Sequence, residues 1–550
     1  MSVKKYGIYL AWQPTIDLRA QGLGRHLAEF LKAAQERKDV CFVIACPSWM
    51  KPSLIELLND ACIQQDYFEI LAPRKKPLLL VAYERYIKIT TRPKKRNLFQ
   101  NFYHYIKNLV SSKRSKIEQV IVATRSKTLV IIVSLLILFL LLVMGLFGKL
   151  FRFVSVVFVA PCRSVTQKTI STFLSQIEKI TTNPKDDLKI LEFFKIMRKQ
   201  EAKLINNLIK ARKDITAWYC PAAFWPDFND IKAPRLMCIP DVVLANFPIS
   251  FACAGTGRML DSFKQVEKSI EEGEYFVTYS EEIKWGTLSK RYHIDPEKIF
   301  VVPHGNNSLN EVIKLSGSLS DNEAALIAFS HTQLKTALCK SAYGMNGGLF
   351  MGVSNFKFIF YASQFRPNKN IISLLKAYDY LLKRRYIPHR LILTGLPSIL
   401  PSINEYIQTH GLENDVLCLH GLSTQELAAC YKLADLAVNP SLSEGGCPFT
   451  FTEALSVDTP VVMSRIPVTL EVIKDPDLDK EMFFDPYDWK DMADRIEWAL
   501  QNKEALLAKQ KLFYNVLEKR TWKTVVDEYI DILEHISNRD LDKIELKDAA

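Results

Sequence analysis

The stretch NPSLSEGGCPFTFTEALSVDTPVV, Asn439–Val462, decides the fold. The apolar run Ala434–Asn439 predicts a strand ending at Pro440, the glycines an open loop, Glu453–Ser456 the opening of a helix, and Pro460–Ser464 the next strand. Strands joined through helices make parallel sheets, and ligands there bind at the carboxyl ends of strands, where this loop falls. Gly445 and Gly446 allow close backbone approach to a ligand, and a helix start offers free N–H groups and a positive dipole end. A carboxylate near the loop's start, Glu444, can hydrogen-bond sugar hydroxyls, and one at the helix start, Glu453, can grip a ribose diol. Spacing alone equally allows a solvated Glu444 and a Glu453 that only complements the helix dipole.

Working outward, the same alternation recurs. FKFIFYASQF (356–365) predicts a strand, Asn370–Lys383 a helix, Arg390–Leu396 a strand ending in Gly395, Val416–His420 a strand and Thr424–Leu433 a helix. Nearer the start, Tyr6–Trp12, Val40–Cys46 and Tyr67–Leu71 read as strands, with helices at Leu23–Ala34 and Pro52–Cys62. The pattern resumes with a helix at Asp187–Ala211 and short β-like runs at Ile215–Tyr219, Leu236–Ile239, Phe276–Tyr279 and Ile299–Val302. Such alternation implies doubly wound sheets covered on both faces. Residues 1–72 and 187–312 thus form a first domain, 351–514 a second, 313–350 a linker or flexible excursion, and 515–550 a mostly helical tail.

Residues 73–186 interrupt the first domain. From Arg74 to Lys127 there are 15 Lys and Arg against Glu84 and Glu118, a local net of 15 − 2 = +13. The whole chain carries +12, so the remainder sums to 12 − 13 = −1, and the basicity is one block. It ends where TLVIIVSLLILFLLLVMGLFG, 128–148, runs 21 residues without a charge. As a helix this run spans about 30 Å, a bilayer's hydrocarbon thickness. Basic residues before it and at Lys149, Arg152 and Arg163 suit anionic cytoplasmic-face lipids rather than nucleic acid. One sheet cannot lie on both sides of a membrane, and LFRFVSVVFVA (150–160) is too short to return as a helix. Either a monotopic hairpin or a tilted helix with a partly non-helical return resolves this, and the hairpin is the expectation. Eleven scattered cysteines without a C-x-x-C pair indicate reduced thiols, and no signal peptide is evident.

The Asn439–Val462 segment resembles the signature of retaining glycosyltransferase family 4, in which two glutamates bracket a Gly-Pro loop before an E-A-hydrophobic helix. The resemblance implies that Glu444 contacts the donor sugar and Glu453 the nucleotide ribose, with the loop N–H groups of Gly446 and Cys447 facing the sugar or diphosphate. The family has seven residues between the glutamates; here there are eight, GGCPFTFT. Other segments follow in the family's order. QGLGRHLAEF (21–30) resembles its glycine-rich turn, placing Gly22 and Gly24 toward the phosphates or the acceptor. YASQFRPNKN (361–370) resembles the segment holding diphosphate-neutralising cations, here Arg366 and Lys369, with Gln364 where an Arg often stands. CIPDVV (238–243) stands where a His-Asp pair is usual, with Pro240 replacing the His and Asp241 remaining. VVPHGNN (301–307) resembles the exit toward the linker, and KRTWKTVVDEYIDIL (519–533) the helix that crosses back to the first domain.

The resemblance implies a GT-B arrangement: two Rossmann-like doubly wound α/β domains facing across a cleft, with a membrane-associating insertion in the first. The expected activity is retaining transfer from a nucleotide-diphosphate sugar to a lipid-linked or polysaccharide acceptor at the cytoplasmic face of the inner membrane. No cofactor is expected and no metal-ligand spacing is visible, so protein cations would take the place of Mg²⁺ at the diphosphate. The competing readings are an inactive membrane-tethered scaffold of this fold and a nucleotide-sugar epimerase.

Overall fold

The structure, a computed structural model, describes residues 3–90 and 186–548 except 15, 17, 19–21, 65–66, 256–257, 314–322 and 342–355. Two compact units emerge, one of Met1–Arg74 with Arg198–Ala550 and one of Lys75–Met197. The apolar runs 128–148 and 150–160 and most of the basic block lie outside the described residues. Among the described residues, no helix is long and apolar enough to cross a membrane. In the smaller unit Lys76, just before the helix Leu78–Thr90, pairs with Glu84 within it at 2.9 Å, and Tyr83 meets Phe194 edge-on.

The larger unit holds two sheets. The first, of seven strands, has the order β3-β2-β1-β4-β5-β6-β7. Its strands are β1 (Lys4–Tyr9), β2 (Val40–Ala45), β3 (Phe68–Leu71), β4 (Ile215–Cys220), β5 (Arg235–Cys238), β6 (Tyr275–Thr278) and β7 (Ile299–Val301). All neighbours are parallel, with Ile8 opposite Ile44 on one side and Tyr219 on the other. Parallel sheets are covered on both faces, which is why β2 reads VCFVIA rather than alternating with polar residues.

The second sheet has the order β10-β9-β8-β11-β12-β13. It comprises β8 (Phe358–Tyr361), β9 (Arg390–Thr394), β10 (Val416–Leu419), β11 (Leu436–Asn439), β12 (Val461–Ser464) and β13 (Phe483–Phe484). β8 through β12 lie where expected; β13, two residues long, carries too little periodicity to be read. Each sheet changes winding direction once, between β1 and β4 and between β8 and β11. The second switch point brings the loops leaving β8 and β11 side by side, and ligands bind at such crevices.

Two segments depart from expectation. Residues 323–341, read as part of a linker or excursion, form the helix Glu323–Ser341, which packs on the helix Thr424–Leu433. Leu334 and Ala337 are buried, and Lys340 pairs with Glu426 at 2.5 Å. Its apolar residues are spread around the helix, so no stripe betrayed it. The helix after the glycine loop begins at Phe449, not Glu453. Pro448, with φ −60°, has the fixed φ and missing donor that suit a helix entry, so the helix forms as soon as the loop ends.

From Trp489 onward the chain forms the helices Trp489–Gln501, Lys503–Leu517 and Trp522–Asp548. The last packs on the helix Gly22–Ala34 and on β4, with Tyr529 edge-on to Phe30 and to Tyr219. Lys4–Glu534 at 2.6 Å and Arg37–Asp527 at 2.5 Å flank this contact. The pairs are partly exposed and add little beside the buried aromatics.

Candidate functional site

At the β8/β11 switch point Lys369 Nζ lies 2.6 Å from Glu444 Oε1, with side chains 20% and 16% exposed. Glu444 is therefore not a solvated loop residue. The positions are built locally. Arg366–Asn370 follows β8 as a tight Pro-Asn-Lys turn that ends on Asn370 at φ 54°, a conformation asparagine tolerates, before the helix Ile371–Arg384. Leu442 N–H donates to Asn368 O at 2.8 Å and Asn368 Nδ2 to Ser443 O at 3.3 Å, tying the two loops together. For Lys369, burial works against the ammonium but is outweighed by the Glu444 charge and hydrogen bond, and its pKa is raised. It stays protonated. Arg366 lies alongside, exposed, with its guanidinium donating to Gln364 Oε1 at 2.8 Å. Arg366 and Gln364 are thus linked side by side in the loop that leaves β8.

The first domain faces this cluster through the turn after β5. Asp241 is open to water in the cleft yet walled by protein. That environment raises its pKa despite the opposing charges of Lys369 and Arg366, and Glu444 pushes the same way. Two carboxylates and two cations from both domains therefore share one electrostatic site.

At both glycines of the loop the close neighbour is protein. A Cβ on Gly445 would sit 1.7 Å from the carbonyl oxygen of Pro240, and one on Gly446 would sit 2.9 Å from Tyr279 Cβ. Their bare backbone lets the first domain close onto the loop. Ser280 Oγ donates to Gly445 O at 2.9 Å, and Glu471 accepts the N–H groups of Glu281 and Glu282 at 2.8 and 3.0 Å. Ser280 and Glu471 carry no signal in the sequence, because the pairing joins residues far apart and from different domains. Gly24 is likewise filled by protein: a Cβ there would lie 1.9 Å from Leu18 O. Gly22 opens the same helix. At Gly395 the tight neighbour is the Phe365 ring, which a Cβ would approach to 2.4 Å, and the Gly395 N–H donates to Leu419 O at 2.7 Å.

Glu453 lies one turn inside the helix Phe449–Ser456 and is 3% exposed. It is neither a solvated carboxylate nor at the helix start, so the entry N–H groups belong to the residues beside Pro448. Burial raises the Cys447 thiol to about 12, which makes it inert and leaves its backbone as the usable part. His304 rests against Phe449 with ring centroids 4.3 Å apart and edge-on to Tyr279 at 5.5 Å. Burial lowers its pKa. It is a neutral packing residue where the two domains meet.

Two Rossmann-like parallel sheets with a charged site between them are the architecture of the GT-B type. Residues 353–511 match the family model described as glycosyl transferases group 1, so the second domain is a glycosyltransferase group 1 domain. No curated relative matches the sequence. Among solved structures, a glycosyltransferase from Rickettsia africae ESF-5 shares the fold with TM-score 0.50 and 13% identity, covering 98% of this chain and 99% of that one. The Candida albicans trehalose-6-phosphate phosphatase N-terminal domain gives 0.53 and 12%, covering 98% and 97%. Anabaena HepE, solved with UDP and glucose, gives 0.50 and 11%, covering 97% and 100%.

Proposed function

We propose that this chain is a retaining, family 4 glycosyltransferase that moves a hexosyl group from a nucleotide-diphosphate sugar to a lipid-linked or polysaccharide acceptor. The observation that carries this reading is the Lys369–Glu444 pair at 2.6 Å, faced by Asp241 across the cleft. A donor's diphosphate draws the Lys369 ammonium and the Arg366 guanidinium, and frees the Glu444 carboxylate for sugar hydroxyls. The anomeric C–O bond to the diphosphate breaks as its charge is met by the two cations and by the helix entry at Pro448. The acceptor oxygen bonds to the anomeric carbon on the same face, and its proton passes to the departing phosphate oxygen. The protein's own cations supply the charge that a metal supplies elsewhere. The buried Glu453 is assigned to the ribose. A UDP-sugar donor is favoured by HepE, which was solved with UDP and glucose on the same fold.

The basic block and the apolar run 128–148 support action at the cytoplasmic face of the inner membrane, on a lipid-linked acceptor of surface-polysaccharide or lipopolysaccharide assembly. Protein lacking 73–186 is expected in the soluble fraction; if it stays membrane-bound, that assignment fails.

The deciding experiment is a thermal-shift screen of nucleotide-diphosphate sugars, in which a donor at 100 times its Kd stabilises the fold by about 2.7 kcal/mol. Lys369→Ala is expected to lower transfer from that donor by roughly 10²–10³-fold, the size of losing one charge-stabilising group. No stabilisation by any nucleotide sugar, or an unchanged rate in Lys369→Ala, rejects the reading and favours an inactive scaffold.

A further inference from the structure

Immediately after Asp241 the sequence runs VVLANFPISFACAGTG, sixteen residues without a charge before Arg258. This stretch is built into the first domain. The turn before it is held by Arg291, whose guanidinium donates to Ala245 O at 2.9 Å. The helix Pro248–Gly255 is anchored inward by Phe251, 5% exposed, whose N–H donates to Phe247 O at 3.1 Å. Its outer face is left bare: Ile249 is 79% exposed, and Pro248, Ala252 and Cys253 are also exposed. A single exposed aliphatic needs no explanation. This one belongs to an uncharged bare face on a helix that runs beside the Pro367–Lys369 turn, next to the site of Lys369 and Asp241.

We propose that the helix Pro248–Gly255 seats an apolar aglycone on the acceptor. The acceptor is then an amphiphile, with its reacting hydroxyl at Asp241 and its apolar end outside the cleft along Ile249. The inference rests on the glycosyltransferase reading and narrows its acceptor class. Continuity singles out this occupant, since the bare face begins where the site's own Asp241 loop ends. A second protein copy is disfavoured because four small side chains fall far short of the roughly 800 Å² per partner that stable interfaces bury. A bilayer surface is disfavoured because the segment offers no Lys or Arg to anionic headgroups.

The test measures binding of methyl, octyl and dodecyl β-glucopyranoside, below their micelle concentrations, to the full UDP-loaded chain. Wild type is expected to bind the octyl compound at least about tenfold more tightly than the methyl one, the effect of burying roughly two methylenes. Ile249→Asp should cut that ratio below threefold while leaving the Kd for UDP unchanged. Tryptophan emission from Ile249→Trp should shift to the blue on adding the octyl compound and not the methyl one. No chain-length preference in wild type, the same preference in Ile249→Asp, or an unmoved emission overturns the proposal. Loss of UDP binding in wild type overturns instead the donor assignment; the chain-length series is still read without nucleotide.

Discussion

Gly24 and Gly445 both stand in a glycine-bearing turn between a strand and a helix, and in sequence they give the same signal. The structure separates them. Gly24 makes room for Leu18 O, a backbone atom of its own turn, whereas Gly445 makes room for Pro240 O of the other domain. The first glycine is a condition for folding one domain, and the second a condition for bringing two together. A glycine-bearing turn therefore does not report what the bare backbone approaches; only the far side of the contact does.

Alanine at each position should break the comparison cleanly. Gly445→Ala puts a methyl against Pro240 and holds the domains apart, and a misplacement of about 1 Å costs roughly 100-fold in rate. Its urea midpoint should stay close to wild type, because neither domain core is touched. Gly24→Ala forces the turn open inside a packed domain, costing roughly 1–3 kcal/mol in stability, with transfer at low temperature largely kept. Rates and urea midpoints of the two variants decide the matter; a Gly445→Ala that loses stability and keeps its rate would reverse the assignment.

The helix Gly22–Ala34, which holds Gly24, also carries a pH effect. His26 is buried against Trp522 at 4.9 Å, and desolvation lowers its pKa to about 3, with His304 adding in the same direction. The unfolded chain, with a histidine near pH 6.5, binds the proton first, so stability is full above that value and falls as the pH drops toward 3. Between pH 7.5 and 5 the loss is about 2 kcal/mol from this group. Denaturation at the two pH values should show the loss in wild type and a smaller one in His26→Phe. Glu471→Gln weakens the grip on the Glu281 and Glu282 N–H groups, worth about 1 kcal/mol. Roughly fivefold slower transfer with an unchanged melting temperature is expected, and a fall in melting temperature would place Glu471 in the fold rather than in closure.

The parallel sheets were readable because their inner strands are buried on both faces and bounded by helical periodicity. The second domain was readable almost strand by strand, since apolar runs such as Leu391–Leu393 admit no other period. The site was legible to the extent that it lies within single loops: Lys369 and Glu444 each follow a strand, and the switch point makes their pairing physical. Contacts between the domains were not legible. Ser280 with Gly445, and Glu471 with two backbone N–H groups, follow from the distance between the two sheets, which no local pattern encodes. The helix Glu323–Ser341 was hidden for a different reason, because its apolar residues are spread around it and do not mark the face that buries Ser330, Leu334 and Ala337.

The helix Trp522–Asp548 has a consequence for how the protein is made. Its Val525, Tyr529, Ile530 and Leu533 are buried, and it packs on the helix Gly22–Ala34 and on β4. These residues leave the ribosome about 300 positions after β4. At roughly 5–20 residues per second, the first domain waits some 15–60 s for the last piece of its own interior. Through that interval Phe30 and Tyr219 present an uncovered apolar face. The domain translated first is thus among the last to be finished.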